Sequence, residues 1–353
     1  MPAFSDPPYP FGCLLVQSAS TVKRCWSLVS EMEDSPIISI EKLKKFYPVK
    51  GKSLFSKPLL VKAVDGVDLA IHRGEIMGLV GESGCGKSTL CRLALRLEEP
   101  TAGSVLFEGK ELSLHSQEEL RLARRSMQMI FQDPYSSLNP RKSAGAAIEE
   151  PLIIHGLGDQ KSRGLQVKAL MKEVGLNPDQ ANRYPHEFSG GERQRIGIAR
   201  ALALKPRFIV ADEPVSALDV SIQAQIVNLL LDLQERFHLT YLFVSHDLTV
   251  VEAVSDHIAV MYLGKIMEVV EKRDFGASAR HPYTEALLTA APVAAPGGRP
   301  VKTVLEGEIP SAVEPPSGCV FRTRCPHAEA VCAQEVPPLR QIRPHHKIAC
   351  HLR

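Results

Sequence analysis

The sequence predicts an α/β fold built on a largely parallel sheet. Three observations carry that reading. Strand-length apolar runs alternate with helix-length segments from residue 37 to about residue 270. One such run, residues 74–80, leads straight into a glycine-rich turn that opens a helix at Lys87. Another, residues 207–211, stops at two carboxylates, Asp212 and Glu213, as a buried strand does when it reaches the sheet edge.

In order along the chain, residues 1–35 are rich in Pro and Ser, lack any sustained period and read as a flexible extension. Met32 precedes a Glu-Asp-Ser turn and then an alternating strand at 37–43, so the folded unit is expected to begin near Met32. Strands are expected again at 60–64 and 74–80. Residues 134–188 read as helical, with candidates at 144–154 and 166–174. A helix at 192–204, the strand at 207–211, a helix at 222–237, a strand at 240–245 and further short strands to about 270 follow. Beyond His281 the composition shifts to Pro, Ala and Gly, then to a tail rich in Cys and His. The expected division is an extension at 1–35, a nucleotide-binding domain at 36–280 with a helical subdomain at about 134–190, and a C-terminal extension at 281–353. No internal repeat marks a tandem pair.

Composition narrows the function. A net charge of +2 leaves no broad basic footprint, so no nucleic-acid partner is expected. No apolar run approaches the roughly 20 residues that cross a bilayer, so membrane association would come through a partner. No basic region precedes residues 11–16, which makes the start a poor secretory signal. In the cytosolic setting that follows, the eight cysteines are ligands or core residues rather than disulfides.

The turn Gly81-Glu82-Ser83-Gly84-Cys85-Gly86-Lys87-Ser88 satisfies the phosphate-loop pattern in full. Its glycines turn backbone N–H groups toward phosphate, and the helix N-terminus adds partial positive charge. Lys87 is expected to reach the β- and γ-phosphates, Ser88 to ligate Mg²⁺ and Thr89 to add a phosphate contact. Asp212 is expected near the metal, with Glu213 beside the γ-phosphate to polarise water. A second glycine-rich turn, Phe188-Ser189-Gly190-Gly191-Glu192-Arg193-Gln194, places Ser189 and glycine N–H groups at another helix start, making a second anion-binding surface.

With Gln132 in Ile130-Phe131-Gln132-Asp133, the turn Ser216-Ala217-Leu218-Asp219 and His246 in Val244-Ser245-His246-Asp247, these motifs stand in the order of the ATP-binding cassette (ABC) ATPases. From residue 37 to about 353 the chain resembles that family. The resemblance implies a RecA-like parallel core with an antiparallel β subdomain and a helical subdomain. It also implies that Gln132 senses the metal and couples to the transmembrane partner, that His246 contacts the γ-phosphate, and that Asp219 belongs to the nucleotide site. An upstream aromatic residue stacks on adenine; Tyr47 matches best, with Phe46 its neighbouring competitor. In the family Ser189, Gly190, Gly191 and Glu192 close over ATP held by the opposing subunit, and catalysis is mostly positioning and charge stabilisation. Phe188 and Glu192 depart from the commonest form of this turn in a way familiar from importers.

Residues 131–140, 184–188, 217–225 and 281–284 resemble a narrower group, the oligopeptide/dipeptide importer ATPases, which includes nickel and glutathione transporters. Tyr135 and residues 193–200 look more like the F-type subunit than the D-type. That resemblance implies a D-type ATPase partner, two transmembrane permease subunits, a solute-binding protein acting indirectly, and a peripheral position at the cytoplasmic face of the inner membrane. The rivals are a soluble ABC protein acting on DNA or ribosomes, which would carry a coiled-coil insertion or two cassettes, and a redox-sensing binding protein.

Cys319, Cys325, Cys332 and Cys350 lie in a tail whose apolar content looks too low for a core of its own. A metal or cluster would staple it. The spacing fits neither ordinary structural zinc nor bacterial ferredoxin, but resembles a 4Fe–4S arrangement in some members of the importer family. A cluster, zinc and plain thiols stay open, with His327, His345, His346 and His351 as substitute ligands.

Overall fold

The computed structural model describes residues 35–49, 59–290 and 307–353. The expected N-terminal extension, its Met32 start and most of the Pro/Ala/Gly segment lie outside the described residues.

Among the described residues eight strands form the main sheet, in the order β11 (Arg340–Arg343), β12 (His346–Ile348), β10 (Lys265–Glu271), β9 (His257–Tyr262), β3 (Ile76–Val80), β8 (Thr240–Val244), β7 (Phe208–Asp212), β6 (Met127–Ile130). Its parallel centre is β3, β6, β7, β8 and β9. β10, β11 and β12 add antiparallel strands at one edge. A separate antiparallel sheet holds β1 (Ile38–Val49), β2 (Leu59–Ile71), β4 (Ala102–Phe107) and β5 (Lys110–Glu111).

The two-residue side-chain period of the central strands divides the core into two layers. Ile209, Ala211, Tyr241, Phe243, Ile258 and Val260 face one apolar cluster, shared with the helices Ala144–Ile154, Gln160–Glu173 and Gly190–Leu202. Phe208, Val210, Leu242, Val244, Ala259 and Met261 face the other, against the antiparallel sheet and the helix Lys87–Ala94. Burial on both faces is why these strands read as continuous apolar runs.

Several boundaries shift from the sequence reading for local reasons. The helix expected at 166–174 starts earlier, at Gln160, because Asp159 caps it by accepting from Ser162 N at 2.8 Å. The helix expected at 192–204 is Gly190–Leu202, begun by the Ser189 capping box. β1 runs on to Val49 through bulges at Leu43/Lys44 and Lys45/Phe46, which break the alternation by which a strand is recognised.

The C-terminal extension does not stand on a core of its own. Phe321 is fully buried among Tyr262, Tyr283 and His281, with ring centroids at 5.3, 5.2 and 5.8 Å. Burial of that ring is worth about 2–3 kcal/mol. Buried Glu268 on β10 accepts from Arg280 N at 2.8 Å, His281 N at 3.2 Å and His346 Nε2 at 2.7 Å. Its charge is thereby shared between the main sheet and the extension.

Burial also keeps the His281 imidazole neutral, lowering its pKa from 6.5 to about 3, while its Nδ1 accepts from Tyr283 N at 3.0 Å. The folded chain therefore binds this proton more weakly than the unfolded chain. The ring's contribution is complete above pH 6.5 and is lost progressively below it, amounting to about 2 kcal/mol by pH 5. Denaturant titrations at pH 7 and pH 5 should show this loss. His281→Asn, which retains an acceptor, should remove it, and an undiminished pH dependence in that variant would place the acid sensitivity elsewhere.

Candidate nucleotide site

The phosphate loop connects β3 to the helix Lys87–Ala94. Gly86 occupies the N-cap with φ 109° and supplies no capping side chain, so the first N–H groups of the helix remain open to an anion. A Cβ at Gly86 would lie 2.1 Å from the Ala63 carbonyl oxygen, and one at Gly81 would lie 2.2 Å from that of Met261. Only glycine fits either place. Lys87 Nζ donates to the Gly81 and Glu82 carbonyls at 2.7 and 3.1 Å, which holds the ammonium inside the loop. Ser83 and Gly84 form its exposed rim, and Cys85 is buried, which raises its thiol pKa.

Four chain segments converge beside this loop. Ser88 Oγ donates to Asp212 Oδ1 at 3.2 Å. Burial raises the Asp212 pKa, the Ser88 hydrogen bond opposes the shift, and neighbouring Glu213 adds to it. A hydroxyl and two adjoining carboxylates short of positive charge fit an octahedral Mg²⁺. Glu213 holds a left-handed φ of 46°, a strained conformation for a residue other than glycine. Its Oε2 accepts from Gln132 Nε2 at 2.9 Å and faces His246 Nδ1 at 3.2 Å. Tyr47, at the far end of β1, reaches the same helix: its hydroxyl bonds Glu98 and neighbours Thr89, and desolvation raises its pKa.

The second glycine turn is not part of this constellation. The side chains of Ser189 and Glu192 bond each other's backbone in a capping box, with Ser189 N donating at 2.9 Å and Glu192 N at 3.3 Å. These bonds from Ser189 hold the Glu192 pKa low. Ser189 and Gly190 are exposed. Gly191 is buried, and a Cβ there would approach Ile222 Cγ2 to 2.6 Å, so packing against the helix Val220–Phe237 also demands glycine. Asp219 caps that helix position without a side-chain hydrogen bond and is exposed.

Two contacts with the phosphate loop were not foreseen from the sequence. Glu82 N donates to Tyr283 Oη at 3.0 Å, and the Arg324 guanidinium grips the Glu82 carboxylate with both terminal nitrogens, at 2.7 and 3.1 Å. Arg324 is 5% exposed. The segment 281–284 is conspicuous in the sequence, but nothing there says that it touches the loop.

The four tail cysteines come close enough to influence one another. Cys319 is pushed up to about 11 by burial first, then by Cys332, Cys325 and Cys350. No three of the four sulfurs lie within 4.8 Å of one another. Three of the four histidines offered as substitutes stand with other groups: His346 with Glu268, His351 with the Glu335 carbonyl at 3.0 Å, and His345 beside His257.

A phosphate loop beside an acidic strand end, with a hydroxyl and carboxylates placed for a metal, is the site of a nucleotide hydrolase. The comparisons with known proteins agree. Residues 64–216 match the ABC transporter family model, and residues 267–332 match that of the oligopeptide/dipeptide transporter C-terminal region. The chain is 51% identical over 319 residues to the oligopeptide transport ATP-binding protein AppF of Bacillus subtilis, covering 90% of this chain and 97% of that one. It is 52% identical to the putative oligopeptide transport ATP-binding protein YkfD of the same organism, over 91% of this chain and 97% of the relative. A putative peptide import ATP-binding protein of Brucella ovis is 53% identical, over 90% and 98%. Among solved structures, the cassette MJ0796 in a dimeric post-hydrolysis state with ADP and Pi matches with a TM-score of 0.60 and 30% identity, over 67% of this chain and 99% of that one. The chain belongs to the ABC transporter family of ATP-binding proteins, in its oligopeptide/dipeptide branch. It is an ABC-type ATPase, with ATP and Mg²⁺ as its cofactors.

Proposed function

We propose that this chain is the F-type ATPase subunit of a peptide importer, paired with a D-type ATPase on two permease subunits at the cytoplasmic face of the inner membrane. A solute-binding protein would deliver the di- or oligopeptide. The observation that carries this reading is the exposed turn at Ser189 and Gly190, which bonds its own helix start and stands apart from the phosphate-loop constellation, so that the chain is read as holding two half-sites. The division into residues 1–35, 36–280 and 281–353 belongs to the same proposal. Among the described residues no helix is long and apolar enough to cross a membrane, in keeping with a peripheral subunit. A groove of about 500 Å³ lined by Leu97, Met129, Phe131 and Pro151 together with Arg124 and Arg200 offers the permease a seat of mixed polarity.

In this reading Gly81, Glu82, Ser83, Gly84, Cys85 and Gly86 supply backbone to the phosphates, and Lys87 and Thr89 contact them directly. Tyr47 stacks on adenine. Ser88, Asp212 and Gln132 surround Mg²⁺, Glu213 polarises the attacking water and His246 contacts the γ-phosphate. Ser189, Gly190, Gly191, Glu192 and Asp219 serve the partner's half-site. The isolated chain is expected to bind ATP and turn it over slowly, with hydrolysis rising when the partner ATPase and permeases are co-assembled. Full turnover by the isolated monomer would overturn the two-half-site reading.

The cysteines favour an iron–sulfur cluster over zinc. Zinc–sulfur bonds of about 2.3 Å bring four tetrahedral thiolates within about 3.8 Å of one another. No three of these sulfurs lie within 4.8 Å of one another, yet their mutual influence on Cys319 keeps them neighbours, in keeping with a polynuclear group. Anaerobically purified chain should carry iron and labile sulfide. Colourless, iron-free protein would leave the cysteines as thiols.

A further inference from the structure

We propose that His257, Glu271 and His345 form a binding site for a divalent transition-metal ion, at the sheet edge opposite the nucleotide. One ligand atom from each lies within 4.8 Å of the other two, and no other grouping of three or more His, Cys, Asp or Glu among the described residues does this. Two come from neighbouring strands and the third from an adjoining turn. His257 opens β9 and stands directly across from Glu271 at the end of β10. β12 pairs with the other side of β10 through Val269↔Lys347, which brings His345, in the turn before it, level with Glu271. The two imidazoles lie 5.6 Å apart.

The surroundings are those of a ligand held ready. His257 Nδ1 bonds Glu75 Oε1 at 2.8 Å, and the other oxygen of this buried carboxylate accepts from His72 N at 2.6 Å. A carboxylate on one ring nitrogen fixes the tautomer and orientation and leaves the other nitrogen's lone pair for a metal. That other nitrogen, Nε2, is buried and has no hydrogen-bond partner among the described residues. A buried ring nitrogen left without a partner is costly, and a bound ion removes the cost. His345 holds a left-handed φ of 55°, a conformation that concentrates at binding sites. Glu271 pairs with Arg273, whose side chain is 78% exposed and free to swing away.

Two imidazoles and one carboxylate suit zinc, cobalt or nickel rather than magnesium or calcium, with water at the remaining position on the exposed His345 side. Bound there, an ion clamps the β11–β12 hairpin of the extension to β9 and β10. Glu75 immediately precedes β3 whereas the phosphate loop follows it, so the ion and the nucleotide occupy opposite ends of that strand.

The test uses the full chain without a histidine tag, stripped with chelator and titrated with Co²⁺. The expected result is visible d–d absorption of a nitrogen- and oxygen-ligated ion, without the near-ultraviolet sulfur charge-transfer band that binding at the cysteines would add. Zn²⁺ should raise the melting temperature, because it binds only the folded state. His345→Asn, which tolerates the left-handed backbone, and Glu271→Gln should each weaken binding by at least about tenfold and abolish the zinc stabilisation, with ATP affinity unchanged. Absence of the absorption, a spectrum of thiolate type alone, or titrations identical in wild type and both variants would overturn the site.

Discussion

Glu213→Gln is expected to leave ATP binding intact and to lower turnover by about 10²–10⁴-fold in the assembled transporter. The amide preserves the size of the side chain and an oxygen acceptor for Gln132 Nε2, now 2.9 Å from the carboxylate. It removes the charge proposed to polarise water and the group that faces His246 Nδ1 at 3.2 Å. It also removes one of two adjoining carboxylates, and so relieves the repulsion that adds to burial in raising the Asp212 pKa. Nucleotide affinity should therefore hold or improve while hydrolysis collapses, a combination that loss of folding cannot produce. Equilibrium nucleotide binding and phosphate release, measured on the same preparation, separate the two. Hydrolysis within about tenfold of wild type would transfer the base role away from Glu213.

How much of this site was legible in the sequence follows from how local each part is. The phosphate loop and the acidic strand end are local patterns, and each is fully specified by a short run of residues. The backbone strain at Glu213 was invisible, because it arises where Glu213 N donates to the Val244 carbonyl at 3.0 Å on a neighbouring strand. Tyr47 was placed by resemblance alone, since the bulged β1 that carries it has no clean alternation. The turn at Ser189–Gly191 was legible as a glycine-rich helix start, and the capping box formed there is local. Its second constraint, the packing of Gly191 on Ile222, depends on a helix that lies well beyond it in the chain. The tail misled most. Its low apolar content suggested a need for a staple, yet Val320 and Phe321 are buried in the main core cluster, and Glu268 ties the tail to the sheet.

The Glu82–Arg324 pair is the strongest case of a contact that only the fold creates, joining residues 242 positions apart. Arg324→Met is expected to lower ATP affinity by at least about tenfold and to destabilise the extension. Removing one partner of a partly buried pair leaves the other charge uncompensated, and that is costly. Here the orphan would be Glu82, which stands in the phosphate loop, 22% exposed, where an unpaired carboxylate repels the incoming phosphates. The guanidinium neutralises it through two parallel hydrogen bonds, a geometry lysine cannot supply, so Arg324→Lys should recover only part of the loss. Combined with Arg324→Met, Glu82→Gln should act in the opposite sense, because it removes the orphaned charge. A double-mutant cycle on ATP affinity should therefore give a coupling of about 2 kcal/mol. Additive effects would mean that Arg324 acts only on the fold of the extension. Because Arg324 is bonded in sequence to Cys325, the same cycle repeated with reduced and oxidised protein reads whether the state of the cysteines reaches the phosphate loop. A coupling that changes between the two would make this pair the route, and an unchanged one would confine the cysteines to holding the tail together.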